Sequence, residues 1–313
     1  MSWPQSLLLL ILAGCTAHGA DTPSAPAGSY GNPHLITLLK DRDLDEISGL
    51  AASRRTTGVF WLHNDHPSKP LLHAVDATGR RRGSVQVDAA KAIDWEDIAS
   101  YTLDGKHWLL IGDIGDNGGV RDEYELIAIE EPAIPAAGEV VSVKPAWRLR
   151  FRYPDAPHDC ESLAVDVASR SILLLTKRTR VPTLYSLPLG PAGEGLQIAA
   201  LLHEVDSIPP ASHAERSARY PAARYAGHPT GMDIDVAGRR AIVLTYRNAW
   251  LFTRSPRQTW GEAFASTPQQ IPLPPLAQAE AIGFDHEGKS FFVSGERLPA
   301  PWIRFDPIPS PSH

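Results

Sequence analysis

The chain has 313 residues, of which 43% are hydrophobic and 21% charged, and its formal net charge is −6. This is ordinary globular composition, and the length suits one large domain or two smaller ones. A mildly acidic chain lacks the basic excess of nucleic-acid-binding proteins, so we expect no nucleic-acid partner. No motif indicates an organic cofactor.

The first fifteen residues have the character of a targeting segment. The apolar run at 7–12 is too short to cross a bilayer and has the length of a signal-peptide core. The sequence Leu-Ala-Gly-Cys at 12–15 is similar to a bacterial lipobox, in which the cysteine is lipidated. We therefore expect a signal peptide over 1–15 and a membrane anchor at Cys15. An ordinary cleaved signal peptide is the alternative.

Residues 16–33 are rich in Ala, Pro, Ser and Gly, which cannot bury enough apolar surface to order the segment. We predict a flexible tether there, followed by a single domain over 34–313. The protein would sit in the cell envelope facing the periplasm or the exterior, on the outer membrane if the host has two membranes. With Cys15 lipidated, Cys160 has no cysteine partner, and we expect a buried thiol.

Five segments of the remaining chain share one pattern. Each begins with Glu, or with Thr in the fourth, and continues with small or apolar residues. A turn then leads into a continuous apolar run, as in a hairpin whose second strand is buried on both faces. The segments begin at Glu46, Glu96, Glu161, Thr230 and Glu280.

The spacing of these segments predicts an all-β fold, a β-propeller. A four-stranded blade needs about 40–50 residues plus loops, which matches the distances between the segments. The last segment has little chain left for a fourth strand, and residues 34–39 can supply it. We count five blades, in a ring closed by this N-terminal strand. The alternatives are a sixth, degenerate blade within 97–160 or 203–229, and an open β-sandwich.

The repeat also predicts a polar site at one mouth of the channel. The first strand of each blade lines the channel, so the five segment starts should converge there as an inner ring. The residues that end the second strands should form an outer ring on the same face. These residues are Asn64, Asp113, Lys177, Tyr246 and Glu296.

Several glutamates in one place cannot all stay ionised without a cation or raised pKa values. Oxygen ligands in a flexible site favour Ca²⁺. The alternatives are a structural charge network, involving Lys177 and Arg247, and a proton-sharing catalytic cluster. The candidate metal ligands are Glu46, Glu96, Glu161, Glu280, Asn64 and Asp113.

A glycine-rich loop over 112–119 carries Asp113, Asp116 and Asn117 among four glycines, so its backbone can approach a ligand closely. A turn that uses these side chains for local hydrogen bonds is the alternative. Thr230, Lys177 and Tyr246 break the acidic pattern, so we expect a ligand toward repeats one, two and five. The candidate ligand-binding residues are Asp65, Asp116, Asn117, Lys177, Thr230, Tyr246, Arg247 and Glu296.

Laid end to end, these segments resemble a family of bacterial secreted β-propellers described as phytase-like ("esterase-like activity of phytase") and related uncharacterised propeller lipoproteins. The resemblance extends from about residue 40 to 305, and residues 94–99 and 112–117 are its most specific part. It implies a propeller in the envelope or outside the cell. Phosphoester hydrolysis is implied only by the family's description.

Two functions follow from the predicted site. The first is a ligand-binding or scaffold module that holds an ion or small molecule at the channel mouth. The alternative is a metal-dependent hydrolase of a phosphoester, ester or lactone, in which Ca²⁺ polarises the scissile oxygen or activates water. The sequence has no Gly-x-Ser-x-Gly nucleophile elbow. The sequence leaves open whether the protein is an enzyme and whether it binds a protein partner.

Overall fold

In a computed structural model of the chain, five sheets surround a central channel, three with four strands and two with five. Four strands of each sheet are antiparallel and form the blade. The structure describes residues 29–65, 69–88, 90, 92–191, 193, 195–219 and 221–309. Cys15, the signal peptide and residues 16–28 of the tether lie outside this part of the chain. Within it, no helix has both the length and the apolar character needed to cross a membrane.

Each sheet is one propeller blade, whose strands follow one another from the channel outward. Blade 1 consists of Ile47–Ala52, Val59–Asn64, Leu71–Asp76 and Arg81–Val87. Blade 2 consists of Trp95–Leu103, Lys106–Asp113, Tyr124–Glu130 and Trp147–Arg152. Blade 3 consists of Cys160–Asp166, Ser171–Thr176, Thr183–Pro188 and Ala200–Glu204. Blade 4 consists of Pro229–Ile234, Arg240–Thr245, Asn248–Thr253 and Gln269–Pro272. Blade 5 consists of Ala279–Phe284, Phe291–Gly295, Ala300–Phe305 and His34–Leu39.

The ring closes in blade 5, where the N-terminal strand His34–Leu39 pairs antiparallel with Ala300–Phe305. Each innermost strand contacts the next around the ring, and blade 5 contacts blade 1. The five-bladed propeller closed by an N-terminal strand is therefore confirmed. The described part of 203–229 contains no further blade, only the end of blade 3, two short helices (His213–Arg216 and the 3₁₀ helix Pro221–Tyr225) and the start of blade 4.

Two short strands extend the outer edges of blades 1 and 2. Val140–Val143 pairs in parallel with the outer strand of blade 1, and Gln197–Ile198 does the same on blade 2. Two further short helices, the 3₁₀ helix Arg42–Leu44 and the α-helix Trp260–Phe264, lie in loops.

The hydrophobic core is divided among the interfaces between neighbouring blades. Trp61 of blade 1 and Trp95 of blade 2 are fully buried in one such interface. Cys160 is a buried free thiol packed with Tyr124 between blades 2 and 3, as the sequence predicts. These clusters bury both faces of the inner strands, which explains why their sequences are continuous apolar runs.

Two buried aspartates join the blades inside the channel. The Asp97 carboxylate accepts hydrogen bonds from the backbone N–H of Leu163, at 2.8 Å, and of Met232, at 3.1 Å. Asp233 accepts from the N–H of Phe284 at 2.8 Å. Each carboxylate thus satisfies backbone donors on blades other than its own.

A β-bulge interrupts the pairing of the first and second strands at the same point in every blade. In blade 2, Trp95 pairs with Asp113 and Asp97 pairs with Gly112, so Glu96 is left without a partner in the ladder. Bulges re-aim side chains, and here they mark the inner ring at the channel mouth. The bulges begin at Ser48, Glu96, Glu161, Thr230 and Glu280.

The position of the bulge corrects the predicted alignment of the first repeat by two residues. Ser48 occupies the inner-ring position of blade 1, and Glu46 precedes it outside the strand. The residue two positions before the bulge is acidic in the first three repeats, so an alignment on glutamate alone matched Glu46 to the wrong position.

The outer ring also needs correction in blades 1 and 2. Asn64 and Asp113 are the last paired residues of their strands, whereas Lys177 lies one residue beyond its last paired residue. The positions equivalent to Lys177 are therefore Asp65 and Ile114. The first hairpins of blades 1 and 2 are longer than those of the other blades. This displaced the predicted outer-ring residues of these two blades by one position.

Candidate metal centre at the channel mouth

Three of the predicted glutamates meet beneath one channel opening, which we call the acidic mouth. Glu96, Glu161 and Glu280 are only 2–4% exposed, and the ammonium group of Lys177 lies among them. Lys177 donates to Glu161 and, at 2.9 Å, to the Tyr246 hydroxyl. Its Nζ lies 4.0 Å from Glu280 Oε2.

This half of the acidic mouth carries its own cation. The Tyr246 hydroxyl donates to Glu280 Oε1 at 2.7 Å, which links Glu280 to the Lys177 ammonium. Burial lowers the pKa of Lys177, but the carboxylates of Glu161 and Glu280 outweigh it and hold that pKa well above its usual value. Lys177 is therefore charged, and it offsets part of the negative charge of blades 3 and 5.

The other half of the mouth is built around Glu96. Glu96 Oε2 accepts a hydrogen bond from Ser48 at 3.3 Å, whereas the buried Oε1 has no hydrogen-bond partner in the same part of the chain. Carboxylate oxygens of Asp65, Asp94 and Glu96 all lie within 4.8 Å of one another. Two oxygens bound to one Ca²⁺ at about 2.5 Å can be at most ~5 Å apart, so this spacing suits a shared ion.

A second group of oxygens, from Glu96, Asp159 and Glu161, meets the same 4.8 Å limit. Here two carboxylates already have cationic partners. Lys177 bonds to Glu161, and Arg178 Nε donates to Asp159 at 2.6 Å. Glu96 belongs to both groups, so an added cation at either one would contact it.

Gly115 keeps the space between two of these carboxylates open. A Cβ atom at this position would collide with Glu96 Oε1 and Asp94 Oδ2. The loop is fixed there because the Gly115 N–H donates to the Asp94 carbonyl at 3.2 Å. Asp113 holds Asp94 from the other side by accepting its backbone N–H at 3.3 Å, and it pairs with Arg121 at 2.8 Å. Asp113 thus fixes the position of Asp94 through its backbone.

The electrostatics of Glu96 favour a bound cation. Burial raises the pKa of Glu96 well above its usual value; Glu161 and Asp65 raise it further, while Lys177 opposes them. At neutral pH this carboxyl group needs either a proton or a metal ion to offset its charge. The donor set and the unpartnered buried oxygen both fit a hard divalent cation.

The structure does not bring Glu46 and Asn64 to this centre. Glu46 is exposed, and Asn64 donates to Asp45 Oδ1 at 3.1 Å. Both line a separate cavity of about 460 Å³ on blade 1. Glu46 is close enough to Glu296 to raise the pKa of that half-buried group, whose burial is the larger cause.

Other predicted residues are held by their own neighbours. Thr230 Oγ1 donates to the Ala279 carbonyl at 2.7 Å, Arg247 pairs with Glu215 at 2.6 Å, and Glu296 accepts from Gln278 at 2.6 Å. These contacts support the rim and do not depend on a ligand.

The glycine-rich loop follows the alternative interpretation, a turn with local hydrogen bonds. Asp116 accepts from the backbone N–H groups of Val120 and Arg121, each at 2.9 Å. The exposed Asn117 accepts from the Arg178 guanidinium. The loop contributes to the centre by placing Gly115, which has no side chain, next to the carboxylates.

Sequence reasoning missed a third set of residues, two positions before each bulge. The side chains of residues i and i+2 share one face of a strand, so Asp94 stands beside Glu96 and Asp159 beside Glu161. The sequence does carry a pattern that indicates this set, Asp-x-Glu, in the second and third repeats. The residues at this position are Glu46, Asp94, Asp159, His228 and Gln278.

His228 adds an uncharged imidazole to the acidic mouth on the side of Lys177 and Arg178. Burial, Lys177 and Arg178 lower the pKa of His228 to about 4, so the ring is neutral at pH 7. Its Nδ1 atom is buried and has no hydrogen-bond partner within the part of the chain that the structure describes. A neutral imidazole beside a metal centre can accept a proton.

No family model and no curated protein matches the chain, so the phytase-like family remains a prediction. Among solved structures, a luciferin-regenerating enzyme is similar at 10% identity and a TM-score of 0.44, over 89% of this chain and 97% of that one. A gluconolactonase from Xanthomonas campestris aligns at 12% identity and a TM-score of 0.47, over 92% and 98%. A nidogen/laminin complex aligns at 12% identity and 0.42, over 80% and 72%.

Proposed function

We propose that this propeller is an envelope-anchored lipoprotein that binds one divalent cation, Ca²⁺, at the acidic mouth and serves as a ligand-binding or scaffold module. Asp65, Asp94 and Glu96 would be the ligands. The observation that carries the proposal is the buried Glu96 Oε1, which has no hydrogen-bond partner among the described residues and faces two further carboxylates. A small ligand would complete the coordination of the ion from the solvent side.

Calorimetric titration of Ca²⁺ into the chelator-treated full-length protein tests this proposal. We expect one ion per chain and loss of binding in Glu96→Gln, which keeps the shape of the side chain but removes its charge. Binding should release protons, because burial raises the pKa of Glu96. Glu130→Gln, in an exposed pair with Lys106, is the matched control and should bind normally. Absent binding in the wild type, or unchanged binding in Glu96→Gln, would contradict the proposal.

His228 favours a second candidate function, metal-dependent hydrolysis of a phosphoester, ester or lactone. When bound, the metal ion would polarise a scissile oxygen. The neutral His228 would accept a proton from an attacking water at Nδ1, with Lys177 and Arg178 beside it. Because the imidazole pKa is about 4, it stays available as a base down to mildly acidic pH.

A screen of model phosphoesters, esters and lactones distinguishes the hydrolase from a binding module. Hydrolysis should require Ca²⁺ and should be lost in His228→Gln, while calcium affinity is retained. Turnover that persists in chelator or in His228→Gln would exclude this mechanism. Absence of turnover with intact calcium binding leaves the binding module as the function.

The anchor is supported by the lipobox-like sequence that ends at Cys15. Metabolic labelling with palmitate should label the wild-type protein and not Cys15→Ser. The substituted protein should also move from the membrane fraction to the soluble fraction. Equal labelling of both proteins would contradict the assignment of Cys15.

A further inference from the structure

The opposite end of the channel has a different character. We call it the far mouth, the end at which the innermost strands of all five blades finish. A cavity of about 290 Å³ lies there, lined by Arg54 after the inner strand of blade 1 and by residues of blades 2, 3 and 4. Its apolar walls include Tyr101, Val165 and Ile234, all nearly fully buried.

Arg54 is a buried cation whose guanidinium bonds to backbone carbonyls. The residue is 8% exposed; its Nε donates to the Ser100 carbonyl at 3.2 Å and its Nη1 to the His286 carbonyl at 3.3 Å. Its guanidinium makes no ion pair within the described residues. Asp233, deeper in the channel, is close enough for Arg54 to lower its pKa, but its carboxylate accepts the backbone N–H of Phe284. A guanidinium has five N–H donors, so several remain for a ligand.

The two other carboxylates that line this cavity are already neutralised. Asp166 pairs with Arg254 at 2.7 Å, and Asp235 pairs with Arg240 at 2.8 Å. Each of these pairs contributes no net charge, so among the described residues that line the cavity Arg54 is the charged side chain without an ion pair, and the deeper Asp233 offsets part of its charge. A bound anion would accept hydrogen bonds from the guanidinium N–H groups that remain unused.

We propose that the far mouth binds a small monocarboxylate with an apolar body. Its carboxylate would accept hydrogen bonds from Arg54, and its body would lie against Tyr101, Val165 and Ile234. A carboxylate matches the planar guanidinium group, which can bind it with two parallel hydrogen bonds. The apolar walls favour an organic acid over a fully hydrated inorganic ion.

This site does not depend on the proposed metal centre. The inner strands have at least six residues, and at ~3.3 Å per residue the two mouths lie ~20 Å apart. Glu96→Gln should therefore leave the far mouth unchanged, and substitutions at the far mouth should leave calcium binding unchanged. Failure of one proposal is thus distinguishable from failure of the other.

Calorimetric or NMR titration of the full-length protein with benzoate tests the site. We expect saturable binding at one site that weakens at least tenfold in Arg54→Gln and changes less than twofold in Arg55→Gln. Arg55 is the matched control because it is exposed and follows Arg54 directly. Unchanged circular dichroism would show that Arg54→Gln is folded.

Ala168→Trp provides a second variant that does not depend on the fate of Arg54. Ala168 is exposed at the edge of the cavity, so a tryptophan there should block benzoate while leaving the fold intact. No saturable binding of millimolar benzoate to the wild type would overturn the proposal. So would benzoate binding that survives both variants, or tighter binding of inorganic phosphate than of benzoate.

Discussion

Replacing Lys177 with methionine tests whether this ammonium group restricts the acidic mouth to one metal ion. Methionine keeps the unbranched side chain but removes the charge that contacts Glu161 and Glu280. The side chains of Lys177 and of both glutamates are only 4–5% exposed, so the carboxylates would lose a buried partner. Removing one member of a buried ion pair costs about 3–5 kcal/mol. We expect the free energy of unfolding to fall by that amount without calcium.

Calcium should restore part of this stability. Without the ammonium group, Glu96, Asp159 and Glu161 have the spacing and the charge to bind a second Ca²⁺. The stoichiometry should therefore rise from one to two ions per chain. An ion present at 100 times its Kd adds about 2.7 kcal/mol to the free energy of unfolding.

Urea denaturation at pH 7, with and without Ca²⁺, measures the stability, and calorimetry gives the stoichiometry. Lys106→Met is the control, because Lys106 and Glu130 form an exposed pair that contributes little. This role of Lys177 is excluded if Lys177→Met unfolds at the wild-type urea concentration. It is also refuted if the variant still binds a single ion.

Three further predictions concern a loop, the channel and a blade interface. Gly115→Ala should abolish calcium binding in calorimetry, because the methyl group fills the space between two carboxylates, whereas Gly118→Ala in the same loop should bind normally. Burial raises the pKa of Asp233 from 3.8 to about 6, so its stabilising contribution is complete below about pH 4 and is lost as the pH rises through about 6. That loss amounts to about 3 kcal/mol. Asp233→Asn should remove this pH dependence from the free energy of unfolding measured by urea denaturation. A pH profile that is the same as that of the wild type would argue against this role of Asp233. Glu131→Gln should lower the free energy of unfolding by about 1–3 kcal/mol. The reason is that the buried Glu131 carboxylate accepts a hydrogen bond from the Trp61 indole at 2.8 Å. A variant that unfolds at the wild-type urea concentration would argue against this role of Glu131.

The propeller was predictable because each blade is encoded by a short sequence pattern that recurs along the chain. Each hairpin appears in the sequence as a turn followed by an apolar run, and residues 34–39 were available to complete the last blade. The added strand Val140–Val143 was not predicted. Its residues are exposed or half-buried, and its pairing with blade 1 depends on where the chain passes after blade 2 is formed.

The site was predictable where the repeat carries a glutamate at the bulge. Glu96, Glu161 and Glu280 came together as expected, but Ser48 in the first repeat has no carboxylate to align. A bulge changes which residue faces the channel without changing composition, so the sequence pattern could not reveal the shift from Glu46. The shift from Asn64 to Asp65 has a different cause, the longer hairpin of the first blade, because the same one-residue error occurred at Asp113 although Glu96 was placed correctly.

The ring closure also fixes the side from which the chain enters the propeller. The strand His34–Leu39 begins at the far mouth, and just before it the Tyr30 hydroxyl donates at 3.0 Å to the Lys289 carbonyl in a turn on that side. If Cys15 carries the lipid that we propose, residues 16–28 allow at most ~45 Å between the membrane and this entry point. The lipid would then hold the Arg54 cavity toward the bilayer. The acidic mouth would point into the aqueous compartment, where ions and soluble ligands reach it by diffusion.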